Sequence, residues 1–324
     1  MLKKNALISP ETQNAPSDLA SVAALQAQFL SAATADNTRR AYRSAVRHFL
    51  NWGASLPADE ASLTRYLIAH AQTLNPRTLS LKITALSQWH KQQGFLDPCA
   101  APQVRKILTG IMRIHGKPKK KARALMIEDL EVIVAMLTPS EQLSDQRDNA
   151  LLQIGYFGGL RRSELVALQF EDIKWEREGI TITLARSKTD QLGVGIQKAI
   201  PSSDGLCCPA RALQVWSGAA GIVSGPVFRR IDQWGRVGQA ALHAASINAI
   251  LTTAASRAGL AEVGSLSSHS LRRGMATSAH RAGATFRAIK RQGGWRFDGT
   301  VHGYIEEADQ FKENALTKLL GRKQ

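Results

Sequence analysis

The later two thirds of the chain carry a dispersed set of side chains able to handle an anion. In Gly158-Gly159-Leu160-Arg161-Arg162-Ser163-Glu164-Leu165 an arginine stands at a glycine-preceded helix start, with a glutamate one helical turn beyond Arg161. At that spacing the carboxylate can orient the guanidinium, although an ordinary surface salt bridge has the same pattern. Ser187-Lys188-Thr189 falls in the turn after a strand, where a lysine either reaches a ligand or is merely solvated. His269-Ser270-Leu271-Arg272 sets imidazole and guanidinium three residues apart, on one helix face, so that both could meet one anion. Gly293-Gly294-Trp295 allows a tight backbone turn and offers an indole N–H that only donates; a packed core tryptophan is the commoner fate. Tyr304, one of four tyrosines, follows nine residues later as either a buried anchor or a phenol that attacks an electrophile.

The elements that must position these groups fall into two patterns. Up to about residue 115 the apolar spacing is helical. A first helix is expected over 17–33, with Leu19, Val22, Ala23, Leu25 and Phe29 on it. Asp36 or Asn37 can cap a second, whose stripe Tyr42, Ala45, Val46, Phe49, Leu50 and Trp52 is apolar while Arg39, Arg43 and Arg47 recur every four residues on another face. Such a row follows phosphates, reaches guanine edges in a major groove, or is a solvated face. A third helix is expected over 59–71. A fourth starts at Pro76, with Arg77 as a further DNA-facing candidate, and ends near Gly94; a fifth starts near Pro98. Beyond residue 125, helices are expected over 127–137, 148–157 and 163–168. The period then changes to alternation with β-branched residues over 179–185, which 195–200 can pair as a hairpin. Helices resume at Pro209 and over 244–258, 269–282, 285–292 and 308–320. The expected class is mainly α with a small antiparallel β-sheet. In the last helix Ala308, Phe311, Ala315, Leu316, Leu319 and Leu320 form one apolar stripe.

Charge divides the chain further. The 324 residues hold 42 Lys and Arg against 26 Asp and Glu, a net +16 that points to an anionic partner, nucleic acid first. Residues 1–115 contribute +7 and residues 125–324 only +4. Between them, residues 116–124 carry Lys117, Lys119, Lys120, Lys121 and Arg123 with no acid, while Gly116 and Pro118 oppose helix. The expected organisation is a helical DNA-binding domain over 1–115, a basic linker over 116–124 and a catalytic domain over 125–324. The linker is either a solvated loop or a strap whose ammonium groups displace counterions from a phosphate backbone. No apolar run is long enough for a membrane span, and the polar stretch 9–18 stands where a signal peptide would need its apolar segment. Cys99, Cys207 and Cys208 give neither metal-ligand spacing nor an even disulfide framework, which fits a reducing cytoplasm.

Taken in order, Arg161, Lys188, His269 with Arg272, Trp295 and Tyr304 resemble the tyrosine recombinase (phage integrase) family over nearly the whole chain. The resemblance implies an N-terminal helical core-binding domain and a mixed α/β catalytic domain that close as a C-shaped clamp around double-stranded DNA. It implies that Arg161 and Arg272 clamp the scissile phosphate, Lys188 protonates the departing 5′ oxygen, and His269 assists proton transfer at the tyrosine. Trp295 would donate to a non-bridging oxygen, Glu164 would support the cage, and Tyr304 would attack to leave a 3′-phosphotyrosyl link. The motif places the catalytic arginine directly after Leu160, hence Arg161 rather than Arg162. In-line attack builds charge on the equatorial oxygens, which guanidinium and N–H donors can stabilise, so no metal, cofactor or ATP is expected. Trp295 stands where most of the family has histidine, as in its Cre-like branch, and both present an N–H.

The short segment before the arginine-bearing helix implies a simple Cre-like or Xer-like recombinase acting at inverted-repeat core sites. The C-terminal helix would dock on a neighbouring protomer in a homotetramer on two DNA sites, with or without an accessory DNA-binding protein, in the bacterial nucleoid. Integration, excision and resolution of a mobile element are open roles, as is dimer resolution. Two other functions fit the same residues less well. A type IB topoisomerase-like relaxing enzyme has no use for the C-terminal docking stripe, and a non-catalytic DNA-binding regulator has none for Lys188 together with Tyr304.

Overall fold

The computed structural model describes residues 19–118, 121–184, 195–309 and 316. Lys119, Lys120 and Lys188 lie outside the described residues, as does the C-terminal helix expected over 308–320 except at 308, 309 and 316. The chain forms two compact units, residues 1–119 and 120–324. No described helix is long and apolar enough to cross a membrane.

The first unit is helical: α1 (Leu19–Ala32), α2 (Asp36–Asn51), α3 (Glu60–His70), α4 (Pro76–Gln92) and α5 (Pro102–His115). Phe49, Leu63, Tyr66, Leu67, Leu79 and Leu86 are its fully buried centre. Asp59 caps α3 by accepting from the Ser62 N–H at 2.8 Å, and Asn75 caps α4 ahead of Pro76. At α2 the expected side-chain cap is missing, because the helix already begins at Asp36 and Ala35 is its N-cap; Asp36 and Asn37 accept from Arg39 and Arg40 instead. The fifth helix begins at Pro102 rather than near Pro98. Pro98–Ala100 forms only a single 3-10 turn, since Ala101, preceding a proline, is held extended at ψ 135°.

The second unit holds α6 (Ile127–Leu137), α7 (Leu143–Phe157), α8 (Arg162–Ala167), β1 (Ile173–Glu176), β2 (Gly179–Leu184), β3 (Ile196–Pro201) and α9 (Pro209–Ala219). After these come β4 (Arg229–Ile231), β5 (Val237–Ala241), α10 (Ser246–Arg257), α11 (Ser268–Arg281), α12 (Phe286–Gly293) and α13 (Asp298–Asp309). Strands β1, β2 and β3 make an antiparallel sheet with β2 central, in the register Ile173↔Ile182 and Ile180↔Ile200. Trp216, Tyr156, Phe228 and Leu130 are fully buried in the core that the helices and this sheet share.

Four features depart from the periodicity. Strand β1 buries one residue of four, and the β4–β5 hairpin is largely exposed, so neither carries an alternating signal. Helix α7 starts five residues before 148 because its first turns are held by charge. There Arg257 donates to both Asp145 oxygens, at 2.6 and 2.9 Å. Helix α13 was not expected over 298–309, where Gly299 and Gly303 depress helix propensity.

Candidate active site

The site is built on the end of α7. The last carbonyls of a helix lack intrahelical partners and lie at the negative end of its dipole, so they attract donors and cations. Three successive carbonyls here are met by three different elements. Phe157 O accepts from Gln292 Nε2 of α12 at 2.8 Å, Gly158 O from Lys198 Nζ of β3 at 2.8 Å, and Gly159 O from Arg272 Nη1 of α11. Gly159 has φ +54°, and a Cβ on it would stand 2.6 Å from Met275 and 3.3 Å from the Gly293 Cα. The two glycine pairs of the sequence therefore meet backbone to backbone.

Leu160 buries itself below this turn, and Arg161 becomes the N-cap residue of α8. Glu164, buried one turn on, accepts from the Arg161 backbone N–H at 2.8 Å and from its Nη1 at 2.5 Å, so one carboxylate holds both ends of the residue. Arg162 is exposed.

Arg272 is 6% exposed, and its Cζ lies 4.4 Å from the centre of the Trp295 ring. Its Nη2 is buried with no acceptor among the described residues. Burial foremost, then Arg161, pushes the guanidinium pKa down to about 10 against the opposing pull of Glu164 and Tyr304, so it stays charged at neutral pH. Trp295 is 8% exposed and folds back over Gly293, where a Cβ would come within 1.8 Å of the indole. We expect Gly293→Ala to cost about 1–3 kcal/mol through this overlap. Thermal unfolding followed by near-UV circular dichroism measures it, and an unchanged Tm would contradict the packing described.

Tyr304 sits half-buried on α13. Its ring centre is 5.6 Å from that of Trp295 at 63°, and the Arg273 Cζ is 5.5 Å from the same centre. An ion pair from Lys290 to Asp298 and a hydrogen bond between His280 Nε2 and Asp309 tie both ends of α13 to α12 and α11.

Arg161, Glu164, Arg272, Trp295 and Tyr304 thus converge. His269 is exposed in the first turn of α11, where its backbone N–H donates to Ser267 Oγ at 3.3 Å. Among the basic candidates of the first unit, Arg43, Arg47 and Lys117 are exposed, Arg39 pairs with Asp36, and Arg77 Nη1 donates to Lys117 O at 3.0 Å. In the second unit Lys121 is exposed. Arg123 gives its guanidinium to Asp129 at 3.0 Å and its backbone N–H to Ser265 O, so its charge is already partnered. No cluster of three or more His, Cys, Asp or Glu among the described residues could hold a metal ion.

Three residues at the site were missed in the sequence: Lys198, Arg273 and Gln292. For Lys198 a signal exists, since 196, 198 and 200 alternate inward on β3 and put a lysine on the core face. Burial first, then Arg272 and Arg161, pushes its ammonium pKa down to about 7 against the pull of Glu164.

The phage integrase family model matches residues 124–310. The chain is 35% identical over 297 residues to an integrase/recombinase xerD homolog of Selenomonas ruminantium, covering 89% of this chain and 86% of that protein. It is 27% identical over 158 residues to tyrosine recombinase XerA of Thermococcus kodakarensis, 48% of this chain and 50% of that one. Among solved structures, a lambda integrase dimer bound to a COC′ core site aligns with a TM-score of 0.60 at 16% identity, over 91% of this chain and 78% of that chain. XerH recombinase bound to palindromic difH substrate aligns with a TM-score of 0.58 at 18% identity, over 83% and 73%. These two likenesses are of fold. With the sequence match spanning both units, the chain belongs to the phage integrase family and is a tyrosine recombinase, an enzyme of site-specific DNA breakage and rejoining.

Proposed function

We propose that Tyr304 attacks a DNA phosphodiester whose non-bridging oxygens are held by Arg161, Arg272 and the Trp295 indole. The observation that carries this reading is the buried Arg272 Nη2, a charged donor without a protein acceptor among the described residues, in a site it shares with Trp295 and Tyr304. Buried donors are nearly always paired, so this one is built for a ligand, and a phosphate supplies the charge and the acceptor. Attack joins the phenolic oxygen to phosphorus and breaks the bond to the 5′ oxygen, which leaves as a hydroxyl. Lys188 protonates that oxygen, and His269 assists proton transfer from the tyrosine. The phosphotyrosyl ester keeps the bond energy, so the reverse attack by a 5′ hydroxyl reseals the strand.

Recombination then proceeds through a Holliday junction in a homotetramer, with the helix over 308–320 docked on a neighbour and the core sites arranged as inverted repeats. Arg39, Arg43, Arg47 and Arg77 face the duplex from the N-terminal domain over 1–115. Lys117, Lys119, Lys120, Lys121 and Arg123 of the 116–124 linker lie along its backbone, Arg123 chiefly as an anchor to the catalytic domain over 125–324. An accessory DNA-binding protein and action at the nucleoid belong to this proposal.

The test is covalent capture. Wild type is incubated with a library of nicked duplexes with randomised arms, and the adducts surviving denaturation are sequenced on the DNA side and mapped by mass on the protein side. We expect an inverted-repeat consensus, with the DNA attached to the peptide bearing Tyr304. No adduct from any duplex would favour a DNA-binding regulator, and adducts without sequence preference a relaxing enzyme.

The linker makes a separate prediction. Replacing Lys119, Lys120 and Lys121 with glutamine weakens binding to all duplexes alike and flattens the plot of log affinity against log salt by up to about 3 units of slope. Fluorescence anisotropy at several salt concentrations measures this. A loss confined to the captured sequence would assign these lysines to base reading instead.

A further inference from the structure

We propose that Lys198 is a positioning residue for strand cleavage, holding the turn that carries Arg161 against the turn that carries Trp295 through two main-chain carbonyls. The proposal rests on the reading that Arg161, Arg272, Trp295 and Tyr304 form the cleavage site. Lys198 is 3% exposed and lies in the middle of the β2–β3 pairing, opposite Ile182, so its backbone is anchored to the sheet. Its Nζ donates to Gly158 O and to Gln292 O. Gly158 precedes Arg161 by three residues, and Gln292 precedes Trp295 by three. One ammonium thus bridges the approaches to two groups that must meet the same phosphate.

The junction is cross-braced, because Gln292 Nε2 returns to Phe157 O at 2.8 Å and Ala199 O at 3.2 Å. An apolar side chain would fill this inward position of β3 without the cost of burying an ammonium, so filling the core does not explain a lysine here. Both its hydrogen-bond partners among the described residues are carbonyls, which leaves one N–H and gives Nζ a structural rather than a proton-donating task. The clamp also tolerates loss of the charge, since a neutral amine keeps two N–H donors for the two oxygens. A pKa pushed down to about 7 is therefore compatible with holding on either side of neutrality.

The experiment compares wild type, Lys198→Met and Lys198→Arg by amide hydrogen exchange and by single-turnover adduct formation on the nicked duplex that wild type captures from the randomised library. In Lys198→Met we expect protection to fall roughly tenfold or more over 158–164 and 291–297, with α9 and α10 unchanged. The adduct rate at saturating duplex should fall about 100-fold, as for a catalytic group displaced by about 1 Å, while duplex affinity stays within about threefold. Lys198→Arg, which keeps donors for both carbonyls, should retain more than about a tenth of the rate. Should Lys198→Met not fold, Lys198→Gln, able to reach one carbonyl and not both, is read by the same measurements.

Unchanged protection in the two segments overturns the proposal, as does a rate loss matched by an equal loss of affinity or an arginine variant no faster than the methionine one. A wild type that forms no adduct with any duplex sinks the cleavage reading, and this role with it. A wild-type adduct with an unaffected Lys198→Met sinks only the role of Lys198.

Discussion

Tyr304→Phe leaves the protein folded and bound to its duplex while lowering the covalent adduct below about 10⁻⁴ of wild type, the scale of loss when a nucleophile is removed. The substitution deletes one oxygen and keeps the ring. The edge contact with Trp295 at 5.6 Å and the Arg273 contact at 5.5 Å survive, so α13 has no reason to move. The other tyrosines are poor substitutes. Tyr66 is buried in the first unit, bonded to His48 Nδ1 at 2.8 Å, with its phenol pushed up to about 12 by burial. Tyr156 donates to Ser278 Oγ at 2.9 Å, and burial likewise raises its pKa. Tyr42 lies on α2 in the other unit. An adduct persisting in Tyr304→Phe would sink the assignment, and peptide mapping would show which hydroxyl had replaced it.

Arg272 should have the next largest effect. Arg272→Ala removes a buried guanidinium N–H that no acceptor among the described residues claims, together with the cation above Trp295. Loss of one preorganised donor costs about 10²–10³ in rate, and loss of the charge as well places the expected fall at about 10³-fold or more, near 4 kcal/mol. Arg272→Lys is the sharper variant. A single ammonium cannot donate to Gly159 O, lie flat over the indole and still offer a second planar N–H, so a fall of at least about 100-fold is expected despite retained charge. Single-turnover adduct formation beside anisotropy binding separates this from weaker association. An Arg272→Lys variant within about threefold of wild type would mean that charge alone suffices and that the fork geometry is immaterial.

What could be read in the sequence was what is local. Arg161 with Glu164, and Gly293 with Trp295, sit within one turn of each other, so their spacing already stated their geometry. Tyr304 was identified by family resemblance, although its helix went unrecognised because Gly299 and Gly303 interrupt the pattern. Gln292 and Arg273 were invisible for a different reason, and the alternation on β3 turns Lys198 inward without saying what it meets. The roles of all three arise from contacts with residues 135, 31 and 40 positions away, and no local periodicity encodes those pairings. The start of α7 escaped in the same way, since it depends on Asp145 meeting Arg257 across 112 residues.

The junction at the end of α7 also bears on how such a chain can change over generations. Its acceptors are the oxygens of residues 157–159, which every amino acid possesses, so drift at residue 157 cannot delete them. Beyond the glycine that residue 159 requires, the heritable information lies on the donor side, in the codons for Lys198, Arg272 and Gln292. All three fall in the unit spanning 120–324. On the proposed reading, in which the first unit meets the duplex, substitutions there leave these three donors unaltered.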